Sequence, residues 1–124
     1  MIGILYVGIG GFIGAAFRYI FTLIGHSSGN FPLNTLLINI IGSFFIGIIF
    51  ALSENTGYIS SNAKLFLQTG ICGGFTTFST FSLETFNLLE NGDYLNGGLY
   101  IFTSVIFCLI GVMLGKMLIG AFNN

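Results

Sequence analysis

Long apolar runs, separated by short polar stretches, dominate this chain. A transmembrane helix needs about 20 predominantly apolar residues, and four runs without Asp, Glu, Lys or Arg approach or exceed that length. The polar connections fall at 25–32, 54–63 and 90–93. The pattern predicts an all-α membrane protein whose single domain, residues 1–124, has four transmembrane helices at about 3–23, 33–52, 62–90 and 94–119.

The third predicted span departs from the aliphatic composition of the other three. Gly73 and Gly74 lie at its centre, and a run rich in hydroxyl groups and phenylalanines follows. We expect the helix to stop at this glycine pair and to restart near Thr77, so that the span is broken near 73–77. An interrupted helix leaves backbone groups at mid-depth that must be buried in protein or coordinate an ion. A simple glycine kink is the alternative.

The second and fourth spans carry sparse polar stripes. The members recur every four residues, which places them on one helical face: Thr35, Asn39 and Ser43 in one span, and Tyr100, Ser104 and Cys108 in the other. Asn39 puts an amide well inside an apolar segment. Such an amide forms an interhelical hydrogen bond worth about 1 kcal/mol, or it offers its N–H donors to an anion.

Aromatic and ionisable residues follow the predicted break. Phe78 and Phe81 are three residues apart, on one helical face, among hydroxyl residues rather than aliphatic ones. Packing is the usual role of such a pair. Glu84 follows at the same edge, and an ionisable side chain at membrane depth points to function. Arg18, near the end of the first span, either extends to the interface or concentrates anions at a pore mouth.

The few charges limit the classes of function. Only 6% of the residues are charged and the net charge is −1, which argues against a nucleic-acid partner. No nucleophile–base pair is evident, so we do not expect an enzyme. Lys64 and Lys116 are predicted on one side of the membrane and Arg18 near the other. This bias is weak, so the chain can insert in both orientations, which permits an antiparallel homodimer.

Three motifs together resemble the Fluc/CrcB family of small fluoride channels. They are Gly10-Gly-Phe-Ile-Gly14 with Arg18, Asn39-Ile-Ile-Gly-Ser43, and Gly73-Gly-Phe-Thr-Thr-Phe-Ser-Thr-Phe-Ser-Leu-Glu84. The resemblance implies an antiparallel, dual-topology homodimer in the cell membrane, with two pores and one central, structural Na⁺ that is not transported. It also implies passive export of F⁻ that limits fluoride toxicity.

The resemblance further implies roles for single residues. Gly73 and Thr76 would supply backbone carbonyls to the Na⁺, and Asn39 would be the pore amide. The rings of Phe78 and Phe81 would face fluoride. The remaining implied positions along the fluoride pathway are Thr80, Tyr100, Ser104, Arg18 and Glu84. Cys108 stands where the family's polar track usually has a serine, and a thiol is a poorer donor.

Two other functions compete with a fluoride channel. A small four-span, proton-coupled multidrug exporter needs a carboxylate in mid-membrane, but the first, second and fourth spans have none, and Glu84 comes late in the third. The chain also has no Trp to stack on aromatic cations. A non-transporting assembly subunit would need close-packing glycines, such as Gly10 and Gly14, but neither Asn39 nor the hydroxyl–phenylalanine segment.

Overall fold

A computed structural model describes residues 1–26, 29–55 and 57–124, and every regular element in these ranges is helical. The all-α fold class is therefore confirmed. The elements are α1 (Ile2–Ile24), α2 (Leu33–Asn55), α3 (Ser61–Lys64), the π-helix π1 (Leu65–Cys72), α4 (Gly73–Phe75), α5 (Phe78–Glu90) and α6 (Tyr94–Phe122). Parts of the connections predicted at 25–32 and 54–63 lie outside the described residues.

Three of these helices are long and apolar enough to cross a membrane: Ile2–Ile24, Leu33–Glu54 and Tyr94–Phe122. They cover the first, second and fourth apolar runs. Local signals set their ends. Pro32 immediately precedes α2, and a turn through Gly92, with a φ of 78°, joins α5 to α6. Asp93 caps α6, because its carboxylate accepts a hydrogen bond from the Asn96 N–H at 3.3 Å.

The third apolar run is built from shorter helical pieces. Gly73 has helical torsion angles (φ −63°, ψ −37°), so the expected stop at the glycine pair is wrong, and helix continues to Phe75. The extended residues are Thr76 (ψ 157°) and Thr77 (φ −150°, ψ 114°), after which α5 begins. The interruption thus lies within 73–77, but later than the glycines.

The glycines permit close helix packing instead. A Cβ atom on Gly70 would lie 2.8 Å from the Cα of Gly10, and one on Gly14 would lie 2.8 Å from the backbone nitrogen of Phe75. A Cβ atom on Gly74 would lie 3.0 Å from the Cα of Gly11. The backbone of α1 therefore touches that of π1 and α4, as small residues allow in membrane helices. Sequence reasoning had placed a helix end at Gly74, whereas its contacts show a packing role.

We expect Gly14→Ala to destabilise the protein by about 1–3 kcal/mol, the usual cost of overpacking. The added methyl group would meet the Ile71 carbonyl oxygen, and backbone cannot move aside as a flexible side chain does. Gly8→Ala is the matched control on the same helix, since nothing lies within 4 Å of its added methyl. Thermal unfolding in detergent micelles measures both. Equal melting temperatures for the two variants would contradict this packing role.

The second close helix pair is α2 with α6. A Cβ atom on Gly115 would lie 3.0 Å from the backbone nitrogen of Ile48, so these helices also pack backbone to backbone.

The two lysines lie close together, at one end of this helix pair. The Nζ atoms of Lys64 and Lys116 lie 5.5 Å and 4.9 Å from the centre of the Phe50 ring. The prediction that the two lysines lie on the same side is confirmed.

Candidate functional site

A cavity of about 310 Å³ opens between α2, the start of α5 and α6. Four residues predicted along the fluoride pathway, one or two from each of these helices, meet in its wall: Asn39, Phe78, Phe81 and Ser104. The other lining residues are Gly42, Ser43, Ile46, Thr76, Thr77, Val105 and Cys108. The extended residues at the interruption are therefore part of the cavity wall. Ser43 and Cys108 reach it through the four-residue polar stripes seen in the sequence.

The Asn39 side chain bridges α2 to the interruption. Its Nδ2 atom donates to the Thr77 carbonyl oxygen at 3.1 Å, and its Oδ1 atom accepts from the Thr77 N–H at 2.8 Å. Both bonds form only with this orientation of the amide, because one Thr77 group accepts and the other donates. The sequence suggested either an interhelical bond or an anion donor for Asn39. The structure has the interhelical bonds and also places Asn39 in the cavity wall.

The start of α5 is fixed by hydroxyl groups. The Thr77 hydroxyl oxygen accepts from the Thr80 N–H at 3.2 Å, an N-cap, and the Thr77 hydroxyl donates to Thr80 Oγ1 at 3.0 Å. Thr80 was predicted along the fluoride pathway. Its side chain takes part in this cap instead, and Thr80 is not among the residues that line the cavity.

Aromatic rings form a chain beside the cavity. The ring centres of Phe78 and Phe81 are 5.5 Å apart, and those of Phe81 and Tyr100 are 5.0 Å apart. Phe81 is partly buried and packs against the core residues Leu36, Leu88 and Tyr100, whereas Phe78 is 79% exposed in the single chain. The two phenylalanines predicted to act as a pair are therefore neighbours in very different environments.

The Glu84 carboxylate is held by two hydroxyl groups. Thr35 donates to Oε1 at 2.8 Å and Tyr100 donates to Oε2 at 2.9 Å. Tyr100 is completely buried and does not line the cavity, although it was predicted along the pathway. Glu84 and Tyr100 thus form a hydrogen-bonded group that contacts the cavity wall through Phe81. The role of Thr35 was missed, and its only signal was the stripe that it shares with Asn39.

Ser104 adds a hydroxyl group to the cavity wall. Its Oγ atom is buried and has no hydrogen bond among the described residues, yet Ser104 lines the cavity. Buried hydroxyl groups are normally hydrogen-bonded, so this hydroxyl beside the cavity has an unused donor. Gln68 Oε1 is also buried and without a partner in the described part of the chain. Sequence reasoning did not single out Gln68.

Arg18 lies apart from this group of residues. It is partly buried on α1, it is absent from the cavity wall, and among the described residues it forms no salt bridge. A single chain therefore does not bring Arg18 together with the other predicted pathway residues.

Two backbone carbonyl groups lose their helical partners at the interruption. In a continuous helix the Thr77 N–H would donate to the Gly73 carbonyl, but it donates to Asn39. Likewise the Thr80 N–H, which would donate to the Thr76 carbonyl, donates to the Thr77 hydroxyl. Carbonyl oxygens released from unwound membrane helices are suitable ligands for Na⁺. The chemistry of Gly73 and Thr76 therefore fits the predicted cation site.

Comparison with known proteins places these features in a family. The family model described as "CrcB-like protein, Camphor Resistance (CrcB)" matches residues 5–116. A protein of Ruminiclostridium cellulolyticum named fluoride-specific ion channel FluC is 52% identical over 120 residues, which is 95% of this chain and 92% of that protein. Fluoride-specific ion channel FluC 1 of Methanosarcina acetivorans is 46% identical over 94% of this chain and 90% of its own length.

Proposed function

This chain belongs to the CrcB family, and from that membership and the cavity we propose that it is a fluoride-specific channel. It conducts F⁻ passively out of the cell across the plasma membrane and so limits fluoride toxicity. One observation carries the proposal: two polar donors, Asn39 and Ser104, and two aromatic rings, Phe78 and Phe81, converge on one cavity. The relatives named as fluoride-specific channels support it over nearly the whole chain.

Fluoride is small and strongly hydrated, so dehydration is the main barrier to its permeation. Transfer of such an ion into an apolar medium costs on the order of tens of kcal/mol when nothing replaces the water. The pore must supply donors and yet bind weakly enough to release the ion. The unpartnered Ser104 hydroxyl meets the first requirement. So does Asn39, whose Nδ2 atom has two hydrogens and uses one on Thr77.

The aromatic rings provide weak stabilisation of an anion. The edge of a phenyl ring bears the positive part of its quadrupole, so Phe78 and Phe81 can face fluoride without a formal charge that would trap it. The cavity wall has no Lys or Arg among its described residues. A narrow path lined by rings also disfavours chloride because of its larger size.

Two oppositely inserted copies complete the pore in this proposal. Phe78 is 79% exposed in the single chain although it borders the cavity, and Gly73, which precedes the interruption, is also exposed. A second copy related by a two-fold axis would cover this face, and the Phe78 rings of both copies would then contribute to the pathways. The near balance of Lys and Arg between the two ends permits both orientations.

A structural Na⁺ fits the interruption in the same assembly. On the two-fold axis, the carbonyl groups of Gly73 and Thr76 from both copies would together surround one cation. When bound, the Na⁺ supplies a fixed positive charge that neutralises these converging carbonyl dipoles and holds the copies together; it is not transported. The release of both carbonyls from helical bonding supports this assignment.

Reconstitution tests the proposed function against its main rival. Purified protein in liposomes loaded with KF, with valinomycin added to carry K⁺, should release F⁻ to an ion-selective electrode without any proton gradient. A proton-coupled exporter would instead take up a lipophilic cation only when a pH gradient is imposed. Cation uptake without F⁻ release would overturn the proposal.

We expect Ser104→Ala to slow F⁻ efflux about tenfold, because loss of one hydrogen bond worth about 1.4 kcal/mol changes a rate by that factor. The hydroxyl has no other described partner, so its removal leaves no protein group unsatisfied. Ser53→Ala is the matched control, since the one bond of that hydroxyl among the described residues is to the Phe50 carbonyl of its own helix. The rates come from the same electrode assay. A Ser104→Ala rate equal to that of the control would remove Ser104 from the pathway.

A further inference from the structure

The contacts of Asn39 exceed what a pore donor requires. A pore donor needs only a free N–H, which the second Nδ2 hydrogen of Asn39 supplies, yet Asn39 also bonds through both ends of its amide to the backbone of one residue, Thr77. That residue is 7% exposed and lies outside any helix. A buried backbone group without a partner costs about 1–3 kcal/mol. The Asn39 side chain therefore takes the place of the helical neighbours that Thr77 lacks.

The same contacts control which carbonyls are free. The Thr77 N–H has two alternative acceptors: Asn39 Oδ1, as in this structure, or the Gly73 carbonyl, if the helix continued past Phe75. While Asn39 holds the N–H, the Gly73 carbonyl keeps its lone pairs available. Without the Asn39 amide, the Thr77 N–H can still find an acceptor if the helix extends past Phe75. It then donates to the Gly73 carbonyl, which is no longer free to bind a cation.

We infer that Asn39 is a positioning residue for the cation site. Its amide holds Thr76 and Thr77 extended and so keeps the Gly73 and Thr76 carbonyls available to Na⁺. This inference rests on the proposed function, because it presumes that the interruption binds Na⁺. It also links the two sites physically, since a side chain in the fluoride cavity sets the geometry of the Na⁺ ligands.

A melting experiment tests this role without fluoride transport. The melting temperature of the purified protein in detergent is measured as NaCl replaces N-methyl-D-glucamine chloride at constant ionic strength. The Na⁺ midpoint is the concentration at which the logarithmic rise in melting temperature begins, and it reports the dissociation constant. Asn39→Leu keeps the side-chain size but removes both bonds, and it should raise that concentration roughly 10–100-fold, as loss of groups that orient metal ligands does. Asn39→Ser has a hydroxyl that cannot reach both Thr77 groups, so it should also raise the Na⁺ midpoint. It replaces Asn39→Leu in the test if that variant does not fold.

Two control variants separate positioning from pore chemistry. Asn87→Leu makes the same substitution at an exposed site on α5 and should keep the wild-type Na⁺ dependence. Ser104→Ala removes a cavity donor without touching Thr77, so it should slow F⁻ efflux and leave the Na⁺ midpoint unchanged. A wild-type midpoint in both Asn39 variants would overturn the inference. If the wild-type protein conducts F⁻ but its melting temperature does not change with Na⁺ concentration, the cation site and this inference are both wrong. The proposed fluoride pathway is then unaffected.

Discussion

We expect the replacement of Phe81 by Ile to lower the F⁻ efflux rate by roughly 100-fold, which corresponds to about 2.7 kcal/mol of lost stabilisation. Phe81 lies at the centre of the aromatic chain, with ring centres 5.5 Å from Phe78 and 5.0 Å from Tyr100. Ile is apolar and still fills part of the space, but it has no ring edge to face an anion. In the proposed pathway F⁻ has already lost water when it reaches Phe81, so no solvent replaces the stabilisation that the ring edge gave.

The Phe81 measurement needs a control for general loss of structure, because Phe81 also packs on the core. Phe12→Ile makes the same change at a residue of α1 that is 76% exposed, and it should conduct like the wild type. Both variants should elute from a size-exclusion column at the wild-type position. A folded Phe81→Ile protein with a wild-type rate would contradict the role of the ring.

Removal of Na⁺ from both sides of the membrane, with N-methyl-D-glucamine in its place, should abolish F⁻ efflux slowly and almost completely. In the proposed dimer, loss of the cation would leave carbonyl dipoles from two copies facing one another without a neutralising charge. The onset is slow because a buried ion must first dissociate. Efflux is followed over hours after dilution into Na⁺-free buffer, and restored Na⁺ should recover the rate.

Replacement of Na⁺ by K⁺ tests whether size as well as charge matters at this site. The larger ion should support F⁻ efflux less well than Na⁺ does, because the proposed ligands are backbone carbonyls of a segment whose N–H groups bond to Asn39 and Thr77. Full activity after prolonged depletion of Na⁺ would refute the cation site. It would leave the fluoride pathway unaffected, since the cavity wall needs no cation.

Apolar patterning accounts for the helices, because length and hydrophobicity decide whether a segment crosses a bilayer. The polar stripes also predicted part of the site. Residues four apart share a helical face, so Asn39 and Ser43 both line the cavity. The sequence also anticipated an interruption in the third run. Each of these conclusions depends on the residue types and their order within one segment, which the sequence contains directly.

Contacts between different helices could not be predicted from the sequence in the same way. Gly73 and Gly74 indicated a helix end, yet both residues stay helical, and Gly74 packs on the backbone of α1. A glycine pair permits flexibility or close approach, and only the neighbouring helix decides which. The hydrogen bonds from Thr35 and Tyr100 to Glu84 join three helices. The two hydrogen bonds between Asn39 and Thr77 depend on where the helix before Thr76 ends. No spacing rule predicts either.

The most direct measurement compares two halides in one preparation. Liposomes that contain the purified protein and equal internal KF and KCl are treated with valinomycin, and separate electrodes record F⁻ and Cl⁻ outside. The account predicts rapid F⁻ release with Cl⁻ release no faster than from protein-free liposomes. Release of both halides at similar rates, or of neither, would contradict it.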